Sequence, residues 1–158
     1  MNSNRLFRNQ VVMKSTILLI ERKKTKLFYK IFTWSTRILL SIAFIPSGLK
    51  KVLGLRFTNL GIDNPVGFFF EGLYQSGFYW NYLGIMQVAC SILIIIPRTT
   101  YLAAVLYLPI IININIIVIS MGFKGTPIIT VLMLIANMYL LVWDYKKTNT
   151  ILSVLLKK

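Results

Sequence analysis

Four long apolar blocks constrain the fold of this chain more than any other feature of its sequence. They are Ile31–Leu49, Phe78–Ile96, Tyr101–Met121 and Pro127–Trp143. The first block contains a single charged residue, Arg37, and the other three contain none. A helix that crosses the hydrocarbon core of a bilayer needs about 20 mostly apolar residues, within a range of roughly 17–25. The sequence therefore predicts an all-α integral membrane protein.

The connections between the blocks predict how the helices are arranged. The link Pro97–Thr100 is so short that the helices on either side of it must be antiparallel neighbours. We therefore expect an antiparallel bundle of four transmembrane helices over residues 31–146. A basic segment, residues 1–30, precedes the bundle, and a short basic tail, residues 147–158, follows it.

The longest connection, Lys50–Gly77, is predicted to contain a short helix of its own. Asn64 followed by Pro65 is a typical helix start, and a run of phenylalanines comes directly after it. This helix is expected either to lie in the outer membrane interface or to fold back as a lid over the mouth of the bundle.

The distribution of positive charge predicts the orientation in the membrane. The chain has 18 Lys and Arg against 4 Asp and Glu. Thirteen of the cations lie on the side of the termini, and four lie on the other side: Lys50, Lys51, Arg56 and Lys124. The positive-inside rule places both termini in the cytoplasm. The same positive charge attracts anionic lipid. Because the basic residues lack a scaffold that could enter a groove of a nucleic acid, we expect no nucleic-acid partner.

The composition excludes several kinds of catalytic site. The chain has no His and one Cys. Zinc and haem sites with His ligands, and nucleophiles activated by His, therefore lack their residues. We assign no catalytic and no metal-binding residue, expect no intrinsic cofactor, and do not expect the protein to be an enzyme on its own.

Arg37 is the most informative residue inside the blocks. A cation at the centre of a membrane helix costs roughly 2.5–3.5 kcal/mol on insertion scales, so its side chain should face protein or water. It could snorkel to the cytoplasmic headgroups, pair with Asp144 at the end of the fourth helix, or bind an anionic ligand. Asn137 lies at about the same depth, given the rise of the helix.

A second set of polar residues lies nearer the middle and the outer end of the bundle. Gln87 and Asn113 either hold helices together, line a polar cavity for a quinone-like head group, or mark a translocation path. Asn113 and Asn115 point about 200° apart and cannot both face one pocket.

Lys50 and Lys51 are expected to anchor the first helix at the headgroups, or to dock an acidic partner or Glu71 of the outer loop.

Several motifs, taken in order, resemble the DoxX-like family of small membrane proteins. They are Arg37 with Ser47-Gly48-Leu49-Lys50-Lys51, Gly77–Gly84 with Gln87 and Ile96-Pro97-Arg98-Thr99, Leu108–Ile114, Phe123–Pro127 and Asn137–Tyr145. The resemblance implies a four-helix bundle in the bacterial inner membrane. Some relatives are linked to thiosulfate:quinone oxidoreduction and others to oxidative-stress complexes.

Three functions remain open. The first is a non-catalytic subunit or interaction protein of a membrane complex. The second, which the resemblance implies, is the membrane subunit of a quinone-linked oxidoreductase whose redox cofactors lie on a partner chain. The third is a small-solute transporter, for which the chain has polar residues but no acidic residue within the four blocks.

Overall fold

The computed structural model describes residues 26–155, together with Ser15, Leu18, Leu19 and Arg22. Most of the predicted basic segment 1–30 therefore lies outside the described residues. Every regular element in the described part is a helix. The helices are α1 (Leu27–Val52), α2 (Pro65–Gln75), α3 (Phe78–Ile95), α4 (Thr100–Ser120), α5 (Thr126–Trp143) and α6 (Tyr145–Leu155).

Four of these helices are long and apolar enough to cross a membrane. They are α1, α3, α4 and α5, with 26, 18, 21 and 18 residues. They coincide with the four predicted blocks to within a few residues, so the predicted four-helix membrane bundle is confirmed. Large apolar side chains such as Leu39, Ile116 and Leu132 stay more than half exposed on its outside. A surface of this kind is suited to lipid.

The helices form a closed ring in which each packs on two neighbours. The ring runs α1, α3, α4, α5 and back to α1, and the contact between α1 and α3 is the most extensive. We call the end that carries residues 53–77 and 121–125 the loop end. The opposite end, which carries the start of α1, the turn 96–99 and α6, is the terminal end.

A close crossing of two glycines brings α1 and α3 together near the loop end. A Cβ atom added at Gly84 would lie 2.6 Å from the Cβ of Lys51 and 2.7 Å from the backbone nitrogen of Val52. A Cβ added at Gly48 would lie 2.9 Å from Cγ2 of Val88. Small residues at such crossings let membrane helices approach until their backbones touch. This crossing therefore depends on both positions remaining glycine.

Toward the terminal end, the interior of the bundle is tightly packed. The rings of Phe44 and Tyr107 meet edge to face with their centroids 3.8 Å apart. Around them lie Leu40, Cys90 and Ile94, all nearly inaccessible. The space between these side chains is too small for a water molecule. This packed layer closes the bundle below the loop end.

We predict that Gly84→Ala destabilises the fold, whereas Gly72→Ala does not. The added methyl group at Gly84 forces α1 and α3 apart, and overpacking of this kind costs about 1–3 kcal/mol. Gly72 is also helical, but nothing lies within 4 Å of an added Cβ. There alanine is the better helix former by up to about 1 kcal/mol. Thermal unfolding in detergent should give a lower Tm for Gly84→Ala only. Equal Tm values for the two variants would contradict the crossing.

Candidate functional site

A cavity of about 480 Å³ lies at the loop end, between the four membrane helices and beneath α2. Its volume falls in the range of pockets that bind small molecules. Most of its wall is aromatic or aliphatic. The polar side chains on the wall are few and come from all four membrane helices: Ser47, Lys51, Tyr79, Gln87, Asn113, Thr126 and Thr130.

Among the described residues, Lys51 is the one cation that lines this wall, and it is buried. Only 7% of the residue is exposed. Its Nζ donates to Oε1 of Gln87 at 3.0 Å, to Oγ of Ser47 at 2.7 Å and to the carbonyl oxygen of Ser47 at 3.2 Å. The rings of Phe57 and Trp80 lie 5.2 and 5.1 Å away, within the range of a cation–π interaction. The three N–H groups of the ammonium therefore have partners, all of them neutral.

None of the carboxylates that the structure describes forms an ion pair with Lys51. They are Asp63, Glu71 and Asp144. Glu71 binds Arg56, and Asp144 lies at the terminal end, where it binds Lys147 at 2.9 Å. A buried charge normally has a counterion, because an apolar environment penalises an isolated ion. Lys51 thus leaves a net positive charge at the cavity.

Docking of an acidic partner by Lys51 stays a prediction, but the structure places Lys51 inside the bundle, neither at the headgroups nor paired with Glu71. The reason is its position on the helix. Phe44, Gly48 and Lys51 follow one another at spacings of four and three residues, so they share the face of α1 that contacts α3. This spacing is the sequence signal for the inward orientation. Lys50, one residue earlier, is exposed as a headgroup anchor should be.

Gln87 and Asn113 both line the cavity, from α3 and α4 respectively. Gln87 is buried and, by accepting from Lys51, also joins α3 to α1. Asn115 does not line the cavity, in agreement with its angular separation from Asn113. It exchanges hydrogen bonds with Thr130 at 3.0 and 3.1 Å and so joins α4 to α5. The two asparagines therefore have different roles, one lining the cavity and one connecting helices.

Arg37, Asn137 and Asp144 lie toward the terminal end and do not line the cavity. The guanidinium of Arg37 lies over the ring of Trp34, 5.3 Å from its centroid. Asp144 acts on it electrostatically and also forms an ion pair with Lys147 at 2.9 Å. Asn137 is fully buried and donates to the carbonyl oxygen of Ala104 at 3.0 Å, which joins α5 to α4. The predicted site residues are thus divided between the two ends of the bundle.

The short helix α2 covers the cavity. Its start is as predicted: the side chain of Asn64 accepts from the backbone N–H of Val66 at 2.9 Å. Phe69, Phe70 and Leu73 face the cavity. The ring of Phe70 stacks on Phe57, with the centroids 4.5 Å apart. Of the two expected arrangements, the position of α2 favours a lid.

An ion pair fastens α2 to the chain that leads into it. Nε and Nη2 of Arg56 donate to the two carboxylate oxygens of Glu71 at 2.8 and 2.9 Å. Gln75 donates to the same carboxylate at 2.7 Å. The hydrogen bonds from Arg56, followed by that from Gln75, lower the pKa of Glu71 from 4.5 to about 2. The pair therefore stays ionised across the physiological pH range.

We predict that α2 stays in place as the pH falls from 7 to 5 and loosens only between about pH 4.5 and 2. A carboxylate whose pKa is lowered by folding contributes fully above its unfolded value and loses that contribution as the pH falls through its folded value. Amide hydrogen exchange of residues 65–75, corrected for the intrinsic rate, should show this. Glu71→Gln should raise exchange already at pH 7, whereas Asp63→Asn should not. Loosening between pH 7 and 5 would contradict the assignment.

Comparison with known proteins shows which family this chain belongs to. No curated protein and no solved structure matches it significantly. The DoxX family, by contrast, matches residues 33–120, which is more than half of the 158-residue chain. The matched range includes the glycine crossing, the lid helix and the cavity residues Lys51, Gln87 and Asn113. The chain belongs to the DoxX family.

Proposed function

We propose that this protein is a non-catalytic membrane subunit that binds a lipid-soluble small molecule, of the quinone class, in the cavity beneath α2. One observation carries the proposal: a cavity of about 480 Å³ combines apolar walls with a few polar groups at fixed positions. Sites for small molecules have this composition, since apolar walls provide affinity and a few polar groups fix orientation.

The residues on the wall fit a quinone. A quinone has a flat ring with two carbonyl oxygens and, in membranes, an apolar tail. Lys51 and Asn113, on α1 and α4, offer N–H donors to carbonyl oxygens. Phe69, Phe70 and Trp80 offer ring faces and edges to the flat head. A bound quinone would supply reversible uptake of electrons and protons, while this chain would hold it, orient it and exclude water.

The side chains support a binding role rather than catalysis by the chain itself. No group of three or more His, Cys, Asp and Glu residues that could hold a metal occurs in the described part of the chain. Electron transfer would then need a partner protein that carries the redox cofactor. A transport function is less well supported, because the packed layer around Phe44 and Tyr107 lies below the cavity.

We propose further that the protein lies in the bacterial inner membrane with both termini in the cytoplasm. The thirteen-to-four distribution of cations supports this orientation. The loop end, and with it the cavity and α2, would then face the outer side of the membrane.

Labelling of single cysteines in intact cells tests the orientation. In a Cys90→Ala background, Leu60→Cys should react with a membrane-impermeant thiol reagent, because residue 60 is exposed at the loop end. Ser153→Cys, in α6 at the terminal end, should react only after the cells are opened. Labelling of Ser153→Cys from outside would overturn the orientation.

Fluorescence quenching tests binding in the cavity. Trp80 lines the cavity, while Trp143, the control, stacks on Tyr29 at the terminal end. We compare Trp34→Phe/Trp143→Phe, which keeps Trp80, with Trp34→Phe/Trp80→Phe, which keeps Trp143. Because a ring bound in the cavity lies beside Trp80, a short-chain 1,4-naphthoquinone should quench the first protein saturably and the second only in proportion to concentration. The same unsaturable quenching in both proteins would overturn the proposed function.

A further inference from the structure

A neutral ligand needs only a hydrogen-bond donor, whereas Lys51 also provides a positive charge. The cavity contains one buried ammonium, and no described carboxylate neutralises it. We propose that the cavity selects amphipathic molecules with a singly negative head group, whose charged oxygen binds Nζ of Lys51 while the apolar body lies against the aromatic and aliphatic walls. The inference rests on the proposed function, because it requires that the cavity binds a small molecule.

The surroundings of Nζ favour an anion over a neutral acceptor. Its present partners, Ser47 and Gln87, offer neutral oxygens, and Phe57 and Trp80 flank it with ring faces. A neutral ligand carbonyl that reaches Nζ displaces one of these oxygens, and the hydrogen bond that it forms is worth about as much as the hydrogen bond that is lost. An anionic oxygen makes the same exchange and adds the attraction of opposite charges, which is strong where water is excluded.

The contact to be displaced is the weakest of the three. The carbonyl oxygen of Ser47 accepts from Nζ at 3.2 Å, whereas Oγ of Ser47 and Oε1 of Gln87 accept at 2.7 and 3.0 Å. A ligand oxygen can therefore replace the long contact while the two shorter ones continue to hold the ammonium in place. The site is thus preorganised for one incoming acceptor.

The number of charges on the wall limits the ligand to one negative charge. In the part of the chain that the structure describes, Lys51 is the single cation that lines the cavity, and Arg56 outside the cavity is already paired with Glu71. A second negative charge would be buried without a partner, which is costly. The remaining wall, with side chains such as Phe69, Leu83 and Ile114, suits an uncharged apolar body.

Two variants remove the net charge in different ways. Lys51→Met removes the ammonium and keeps a side chain of similar length. Gln87→Glu keeps the ammonium and places a carboxylate oxygen where Oε1 now accepts from Nζ, so the charge is neutralised within the protein. Lys50→Met is the matched control, because the adjacent Lys50 is exposed and does not line the cavity.

The experiment compares two probes that share one ring system. 2-Hydroxy-1,4-naphthoquinone is ionised at pH 7, whereas 2-methoxy-1,4-naphthoquinone is neutral. Dissociation constants are measured by quenching of Trp80 in the same detergent for every variant. The native protein and the Lys50→Met control should both bind the hydroxy probe about tenfold more tightly than the methoxy probe. In Lys51→Met and in Gln87→Glu the ratio of the two dissociation constants should fall close to one.

Each possible binding result would overturn a different claim. Equal binding of the two probes by the native protein would overturn the selection of anions and leave the proposed function standing. An unchanged ratio in both variants would overturn the role of Lys51. Failure of both probes to bind would overturn the proposed function and the inference with it. Because detergent partitioning is the same for all variants, the change in the ratio reports on the site alone. Gln87→Glu keeps the test valid if Lys51→Met fails to fold.

Discussion

The contact between Gly48 and Gly84 determines the arrangement of the loop end. Because neither residue has a side chain, α1 and α3 approach until the backbone of one helix touches the other. Because the helices lie so close together, the side chain of Lys51, one turn after Gly48, contacts Gln87 rather than the membrane surface. A wider crossing would leave the ammonium without its acceptor on α3. The charge at the cavity is thus a consequence of how closely two helices pack.

The bundle is packed at one end and hollow at the other. Toward the terminal end, Phe44, Tyr107 and their neighbours fill the interior. At the loop end the helices enclose a cavity, and α2, fastened by Arg56 and Glu71, covers it. The cavity therefore lies at the loop end, whereas Asn137, near the terminal end, connects helices.

The sequence predicts the four membrane helices and the start of α2 closely, because apolar blocks of this length have few alternatives in a bilayer. Lining of a polar cavity by Gln87 and Asn113 is one of the alternatives that the sequence leaves open, and the structure places both residues on the cavity wall. The spacing on α1 indicates which face Lys51 shares, but not that this face meets Gln87, because that depends on Gly84, 33 residues later, and on the rotation of α1 relative to α3. Similar depth suggests that Arg37 and Asp144 form a pair, and this stays a prediction, because Asp144 acts on Arg37 electrostatically but also binds Lys147.

The most direct test of this account is the proton exchange of the lysine side chains. In protein labelled with ¹⁵N-lysine, the ammonium resonance of Lys51 should stay observable under conditions in which that of Lys50 exchanges too fast to be seen. Burial and three hydrogen bonds protect Lys51, whereas Lys50 is open to solvent. The protected resonance should disappear in Lys51→Arg and persist in Lys50→Arg. Equally fast exchange for all lysines would contradict the buried ammonium on which the account depends.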